Sequence, residues 1–356
     1  MKQTVCVIFG GKSSEHEVSC RSAANVLSYI DREKFDVVSV FIHKEGSWQL
    51  YHGGSETLAT SGWEKDLGKA CLLSPDPKHH GLLVFNKNGD VSVTHIDVIF
   101  PVLHGKNGED GTIQGLFELS GIPYVGCGVL ASSASMDKVT TKKLLALAGI
   151  PVCDGFDISA CEAKDVSFVD AKIKETVGYP VVIKPSNAGS SVGITLVKEE
   201  KDLSAALALA TENDRRILVE RAMDVRELEC AVLGSYDKVD ASCIGEIVKK
   251  TEMYDYETKY ITDMTELVIP ADIPEEAKEN IREMAKKAFR AVDGFGLSRV
   301  DFFMDKNTGE LVLNEINTLP GFTNISMYPM LWKQSGIESR ELVTKLIGLA
   351  AERMGV

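Results

Sequence analysis

No C-x-x-C pair occurs in this chain. Its eight cysteines stand at 6, 20, 71, 127, 153, 161, 230 and 243, and no cysteine–histidine cluster has zinc-finger spacing. A structural zinc module is excluded, and the cysteines read as buried or free thiols of a reducing compartment. Histidine stops early: all seven fall at or before His104, so no histidine-rich metal site is available beyond it. Basic charge is in deficit, with 39 Lys+Arg against 52 Asp+Glu and a net charge of −13. That excludes the electropositive footprint of a general nucleic-acid binder and the polybasic patch of a membrane-surface anchor. No apolar stretch is long enough to span a bilayer, and Met1-Lys2-Gln3 leads directly into a strand-like run without a signal-type apolar region. A cytoplasmic location is expected. Internal repeats and low-complexity tracts are also missing.

Two common nucleotide signatures are absent as well. Gly11-Lys12-Ser13 looks like the end of a phosphate-binding P-loop, but that motif needs a glycine where Cys6 stands. No Gly-x-Gly-x-x-Gly follows a strand, and Gly126-Cys127-Gly128 lacks the third glycine. A nicotinamide dehydrogenase therefore loses its best marker.

What remains is ordinary globular composition. The 356 residues are 44% hydrophobic and 26% charged, enough for two or three domains with proper cores. The acidic balance poses a question. An anionic ligand must find its positive charge in a few placed Lys and Arg side chains, or in a metal ion.

The apolar run Val5–Phe9 predicts a strand buried on both faces, ended by Gly10-Gly11. Ser19 is suited to cap a following helix whose apolar side is Ala23, Val26, Leu27 and Ile30. Phe35–Ile42 predicts the next strand, and strand–turn–helix–strand opens a doubly wound α/β domain. Leu82–Phe85 and Val91–Thr94 flank Asn88-Gly89, a hairpin signal. Asp97–Leu103 reads as a buried strand. A helix ends at Ala148 with Gly149 beyond it and Pro151 following, a candidate boundary. Strands are expected at Pro180–Lys184, Ile194–Val197, Ile217–Glu220 and Glu229–Leu233, with a second boundary near Glu220–Ala222. Ile281, Met284, Ala285, Ala288, Phe289 and Val292 form one helical stripe. Arg299–Met304 and Leu311–Asn317 predict a hairpin over Asp305–Gly309.

Three segments carry chemistry. Lys184 ends a strand and opens the loop Pro-Ser-Asn-Ala-Gly189-Ser190-Ser191-Val-Gly193, whose small residues let backbone N–H groups approach phosphate oxygens. A flexible hairpin loop with a solvated lysine has the same composition. Glu315 and Asn317 are two apart on a strand and share a face, with Asp301 on the partner strand. Leu311 and Leu313 precede them, so that face is expected to be core. Three hard oxygen ligands suit Mg²⁺, which takes a few carboxylates together with phosphates and water. A salt bridge of Arg299 with Asp301 or Glu315 is the alternative. Tyr254–Tyr260 is a polar, aromatic loop suited to a lid or to plain surface. Glu15, at the carboxyl end of the first strand, can take an ammonium group, and Gly321 can present its N–H to an oxyanion.

Together these segments resemble the D-alanine–D-alanine ligases of the ATP-grasp superfamily. The matching residues are Phe9–Ser19, Leu103–Thr112, Met136-Asp137-Lys138, Ile183-Lys184-Pro185 with Gly189–Gly193, Tyr254–Tyr260, Ser298–Asp301, and Asn314–Thr323 with Ser326–Pro329. They run in family order across nearly the whole chain. The resemblance implies an α/β fold: an N-terminal doubly wound parallel-sheet domain over 1–135, then a two-part α+β ATP-grasp region over 136–221 and 222–356. It implies ATP and D-alanine as substrates, a pair of Mg²⁺ ions with Mn²⁺ as a substitute, a homodimer, and a cytoplasmic role in peptidoglycan precursor synthesis.

It also implies residue roles. Lys138, Lys184 and Ser191 would hold phosphates, Glu220, Arg221, Ala222 and Met223 the adenine, and Glu227 the ribose, with Asn314 also at the nucleotide. Asp301, Glu315 and Asn317 would bind the metal. Glu15 would take the first ammonium group, with Ser190, Tyr260 and Lys259 closing over it and His104 beside it. Arg299 and Gly321 would form the oxyanion site, and Ser326 would take the second carboxylate. Serine-forming relatives commonly carry arginine where this chain has Met327, and lactate-forming ones lack the tyrosine matched by Tyr260. The alternatives are a D-Ala–D-Ser ligase and an ATP-binding regulatory protein without ligase activity.

Overall fold

The computed structural model describes residues 2–189, 192–249 and 265–354. The loop positions Ser190 and Ser191 and the lid candidates from Tyr254 to Tyr260, including Thr258 and Lys259, lie outside the described residues.

Seven strands form the first sheet: β1 (Gln3–Gly10), β2 (Phe35–Ile42), β3 (Trp48–Tyr51), β4 (Leu67–Leu73), β5 (Gly81–Phe85), β6 (Val91–His95) and β7 (Val98–Val102). Their order is β6-β5-β4-β3-β2-β1-β7. Only β2-β1-β7 run parallel, Val5 pairing with Val37 on one side and Val98 on the other. The doubly wound pattern is thus confined to this trio. The rest of the sheet is an antiparallel meander in which each strand pairs with the next. The helix α1 (His16–Tyr29) follows β1. It starts ahead of Ser19, with Glu15 at the cap position. Ser19 is not a cap: its buried hydroxyl donates to the Val102 carbonyl and accepts from the Gly10 N–H at 2.7 Å, tying the ends of β7 and β1 together. The short α2 (Ser55–Leu58) and α3 (Thr112–Ser120) complete this part.

Two helices, α4 (Val129–Met136) and α5 (Lys138–Leu147), lead to a four-stranded antiparallel sheet. Its strands β8 (Gly155–Ser159), β9 (Val181–Pro185), β10 (Thr195–Val197) and β11 (Arg216–Arg221) lie in the order β10-β9-β11-β8. The helices α6 (Val166–Thr176) and α7 (Leu203–Asn213) cover it, burying Val169, Ile173, Leu203 and Leu207 against Ile183 and Val219.

The third sheet is antiparallel, in the order β14-β13-β12-β15-β16. Its strands are β12 (Val225–Gly234), β13 (Val239–Lys249), β14 (Thr265–Val268), β15 (Gly296–Asp305) and β16 (Leu311–Asn317). The helix α8 (Glu275–Ala291) lays the whole predicted stripe, from Ile281 to Phe289 with Val292 just beyond, into the core beneath it. The fully buried Ile281 and Phe289 each contribute about 1.5–3 kcal/mol of transfer free energy. Cys127, Ala131 and Leu145 join the same core, so α4 and α5 also pack on this sheet. The helices α9 (Met327–Gln334) and α10 (Ser339–Met354) share a second core with β1, β7 and α1. That core joins the two ends of the chain and fixes the first sheet against the third. All eight cysteines are free thiols, most of them buried. No helix among the described residues is long and apolar enough to cross a membrane.

Candidate active site

The hairpin of β15 and β16 places the acidic cluster. Asp301 pairs with Glu315 and Arg299 with Asn317, but Phe302 pairs with Leu313, so Asn314 is an extra residue in a bulge. The bulge overturns the expected shared face. Leu313 and Ile316 join Val300 and Phe302 in the core, whereas Asp301, Glu315 and Asn317 turn to the opposite side. One inserted residue reverses the alternation, so the polar cluster escapes the apolar face.

Arg299 is locked on that polar side. Its Nε and Nη2 donate to the two oxygens of Asp301, both at 2.7 Å, and Nε lies 3.0 Å from Glu229 Oε2. Burial opposes its charge, but Asp301 and Glu229 outweigh that and hold the guanidinium firmly protonated. The salt bridge of Arg299 with Asp301, the alternative considered above, is thus formed. Asn317 Nδ2 also donates to Asp301 Oδ2 at 2.9 Å. Among the described residues no group of three or more His, Cys, Asp and Glu side chains is arranged to hold a metal ion. Two carboxylates and one amide oxygen are the donor set Mg²⁺ uses when phosphates and waters complete its shell, so the residues fit that ion.

Lys138 and Lys184 approach this cluster from the other sheet and its helix. Lys138 Nζ lies 3.7 Å from Glu315 Oε2 and donates to the Ala188 carbonyl at 2.7 Å. Lys184 Nζ sits 6.0 Å from the Phe303 ring centroid and 2.6 Å from Glu220 Oε2. The base of the Gly/Ser loop is pinned rather than free. Asn187 donates to Asp137 Oδ2 at 2.7 Å, and the Lys138 N–H to the Ser186 carbonyl at 3.0 Å. Asp137 also caps α5 through the Thr140 N–H at 2.7 Å and holds Arg216. The segment after β11 is tied to its neighbours: the Ala222 N–H reaches the Pro180 carbonyl at 3.0 Å, and Met223 Sδ lies 3.8 Å from Cys153 Sγ. Arg221 instead points its side chain to Glu310, at 3.1 Å. Glu227 stands on β12 opposite Phe303, two residues from Glu229.

Glu15, ahead of α1, is met by two glycine-bearing loops. Gly105 has φ +69°, and a Cβ there would come 2.7 Å from Glu15 Oε2, so only glycine lets this loop close over the carboxylate. Gly189 approaches the same oxygen from the second sheet. His104 was expected at the substrate, yet both its ring nitrogens are engaged within the chain. Nδ1 donates to the Leu319 carbonyl at 2.9 Å, and Nε2 lies 3.2 Å from Ser22 Oγ. Burial lowers its pKa and keeps it neutral, as these bonds require. Through these bonds it braces the turn that begins at Leu319. At that turn a Cβ on Gly321 would meet Ser326 Oγ at 2.8 Å, and this hydroxyl accepts from the Thr323 N–H at 2.9 Å.

Several members of the site escape sequence reading. Glu109 accepts from the Gly105 N–H at 2.6 Å and the Leu319 N–H at 3.4 Å, clamping the two loops. Packing and the neighbouring Glu15 push its carboxyl up to about 8, against the pull of those N–H groups. A raised acid binds its proton in the folded state between its ordinary range and about 8, so stability should fall as pH rises through that window. Glu109→Gln removes this contribution. Its melting temperature relative to wild type is expected to climb from about pH 5 to about pH 8. Parallel melting profiles over that range would contradict the raised value. Lys142 and Glu229 were also missed. Their one signal was spacing: Lys142 follows Lys138 by one helical turn, and Glu229 shares a strand face with Glu227.

A mixed N-terminal sheet with a parallel trio, followed by two antiparallel sheets whose lysines and carboxylates approach one another, is an ATP-grasp architecture. Family models for the N-terminus and C-terminus of D-ala D-ala ligase match residues 4–127 and 144–348. The chain is 50% identical to the D-alanine–D-alanine ligase of Acetivibrio thermocellus, over 99% of this chain and 96% of that one. It is 48% identical to that of Thermoanaerobacter sp. strain X514, over 99% and 97%. Among solved structures it resembles the VanG D-Ala:D-Ser ligase of Enterococcus faecalis, with TM-score 0.88, 39% identity, and 98% of this chain and 100% of that one covered. The D-alanine–D-alanine ligase of Coxiella burnetii gives TM-score 0.85 and 32% identity, over 99% and 95%. The chain belongs to the D-alanine–D-alanine ligase family.

Proposed function

We propose that this protein joins two D-alanine molecules at the expense of ATP, forming D-Ala–D-Ala, ADP and phosphate. The observation that carries the reading is the convergence of Arg299, Asp301, Glu315 and Asn317 with Lys138 at the hairpin of β15 and β16. A carboxylate is a poor electrophile and must be activated before an amine can attack it. The first D-alanine, its ammonium on Glu15, attacks the γ-phosphorus through a carboxylate oxygen. The bond to the β-phosphate bridging oxygen breaks, giving ADP and an acyl phosphate. The amine of the second D-alanine, having lost its proton, attacks the acyl carbon, and the tetrahedral intermediate expels phosphate. Arg299 and the Gly321 N–H face the developing oxyanion, with Arg299 held in advance by Asp301 and Glu229. Ser326 binds the second carboxylate. Lys138 and Lys184 balance phosphate charge, while the stretch Glu220–Met223, Glu227 and Asn314 line the nucleotide. Mg²⁺ held by Asp301, Glu315 and Asn317 would neutralise charge on the transferred phosphoryl group. The segment with Tyr254–Tyr260, together with Ser190 and Ser191, is assigned to closing the site against water, which would hydrolyse the acyl phosphate.

We assign the three units 1–135, 136–221 and 222–356, a homodimeric state and a cytoplasmic location as part of the same reading. The test is ADP release dependent on D-alanine and Mg²⁺, with D-Ala–D-Ala identified by mass spectrometry. No release with D-alanine, at any pH where the fold survives, sinks the assignment. The likeness to the VanG D-Ala:D-Ser ligase supports a second reading, D-serine at the second position. Against it, Met327 is a buried apolar residue packed at Gly245. Equal concentrations of D-alanine and D-serine should give mainly D-Ala–D-Ala; a dominant D-Ala–D-Ser product would reverse the preference.

A further inference from the structure

Glu220 is 2% exposed, and each of its carboxylate oxygens meets one ammonium group. Lys142 Nζ lies 2.5 Å from Oε1, and Lys184 Nζ 2.6 Å from Oε2. Burial pushes the Glu220 carboxyl up, but the two lysines more than offset it and hold it down at about 2. The lysines are not equivalent. Both are 8% exposed, but they sit on different elements: Lys142 projects from α5, whereas Lys184 near the end of β9 feels the charge of Glu315 and faces Phe303.

We propose that Lys142 is a positioning residue for nucleotide binding: it keeps Glu220 paired so that Lys184 can turn its charge to an incoming phosphate. This rests on the assignment of Lys184 to the phosphates of ATP. A buried carboxylate stripped of its partner is strongly unfavourable. With one lysine alone, Glu220 and Lys184 form a closed neutral pair, and moving Lys184 toward phosphate strands the acid. With two, the trio carries a net positive charge. Lys142 retains the acid while the three donors of Lys184 are redistributed. Lys142 thus acts on a ligand it does not touch.

The experiment measures ATP affinity of the full-length protein by calorimetry without D-alanine, for wild type, K142M, K142R and the double variant K142M/E220Q. Methionine preserves the length and packing of the lysine stem. K142M should weaken ATP binding about tenfold, while K142R stays near wild type. The double variant should bind ATP more tightly than K142M, because E220Q keeps the side-chain length along the nucleotide stretch and removes the charge that holds Lys184. In turnover assays the KM for D-alanine should stay within about twofold in K142M while the KM for ATP rises. Unchanged ATP affinity in K142M, or no recovery on adding E220Q, overturns the proposal. So does a parallel rise in both KM values, which marks a general structural loss. Should K142M fail to fold, K142Q gives the same readout with a smaller change in polarity. The binding arm does not depend on the product. A wild type that binds ATP but releases no ADP with D-alanine refutes the ligase reading, and the affinity ratios still decide the role of Lys142.

Discussion

Arg299→Met is expected to lose both turnover and stability. The loss of turnover should be about a hundredfold to a thousandfold, the usual cost of removing one preorganised oxyanion donor. The stability loss follows from what remains. Asp301 and Glu229, both buried, lose the cation that each contacts. Breaking a buried ion pair from one side typically costs about 3–5 kcal/mol. Arg299→Lys separates the two effects. A point charge restores part of the electrostatic balance and so part of the melting temperature. It lacks the planar fork that makes two parallel bonds to Asp301, so turnover should stay low. Steady-state ADP release and thermal melting on the same samples check this. An Arg299→Met protein with turnover within tenfold of wild type would refute the oxyanion role.

Glu315→Ala should do the reverse, removing activity and sparing the fold. The Glu315 side chain is 30% exposed, and its contact with Lys138 at 3.7 Å adds little to stability. Loss of a metal-holding carboxylate removes several kcal/mol of charge stabilisation on the transferred phosphoryl group. That corresponds to roughly a thousandfold or more in kcat. The melting temperature should move by only a few degrees. A second readout is the Mg²⁺ concentration needed for half-maximal ADP binding, which should rise in the variant. Near-normal turnover, or an unchanged Mg²⁺ requirement, rejects the metal role of Glu315. Asp301→Asn is a less clean probe of the same idea, because Asp301 also anchors Arg299.

The acidic balance of the chain looks different beside this cluster of charges. A net charge of −13 excludes polyanion surfaces but says little about phosphate chemistry in a pocket. The local charge is set by Lys138, Lys142, Lys184 and Arg299, each held by a named carboxylate. Glu15, Asp301 and Glu315 account for part of the acidic excess.

The strands at Val5–Phe9 and Phe35–Ile42, the stripe on α8 and the hairpin after Asp305 were legible from the sequence alone, as was the family order of the motif loops. Each depends on local pattern: an apolar run, a 3.6-residue period, a turn chemistry, a string of adjacent residues. The tertiary structure alone decided which face of β16 is polar. The bulge at Asn314 is a property of its pairing with β15 and cannot be seen in the alternation of β16 itself. It also decided that Ser19 bridges two strand ends instead of capping a helix, and that four of the seven N-terminal strands meander antiparallel. His104 became a brace, and Lys142, Glu109 and Glu229 entered the site, for one further reason. A buried charge or ring is defined by its partners, and these partners lie up to 215 positions away along the chain, as Leu319 does from His104. Local periodicity carries no record of such pairings; only long-range register and packing set them.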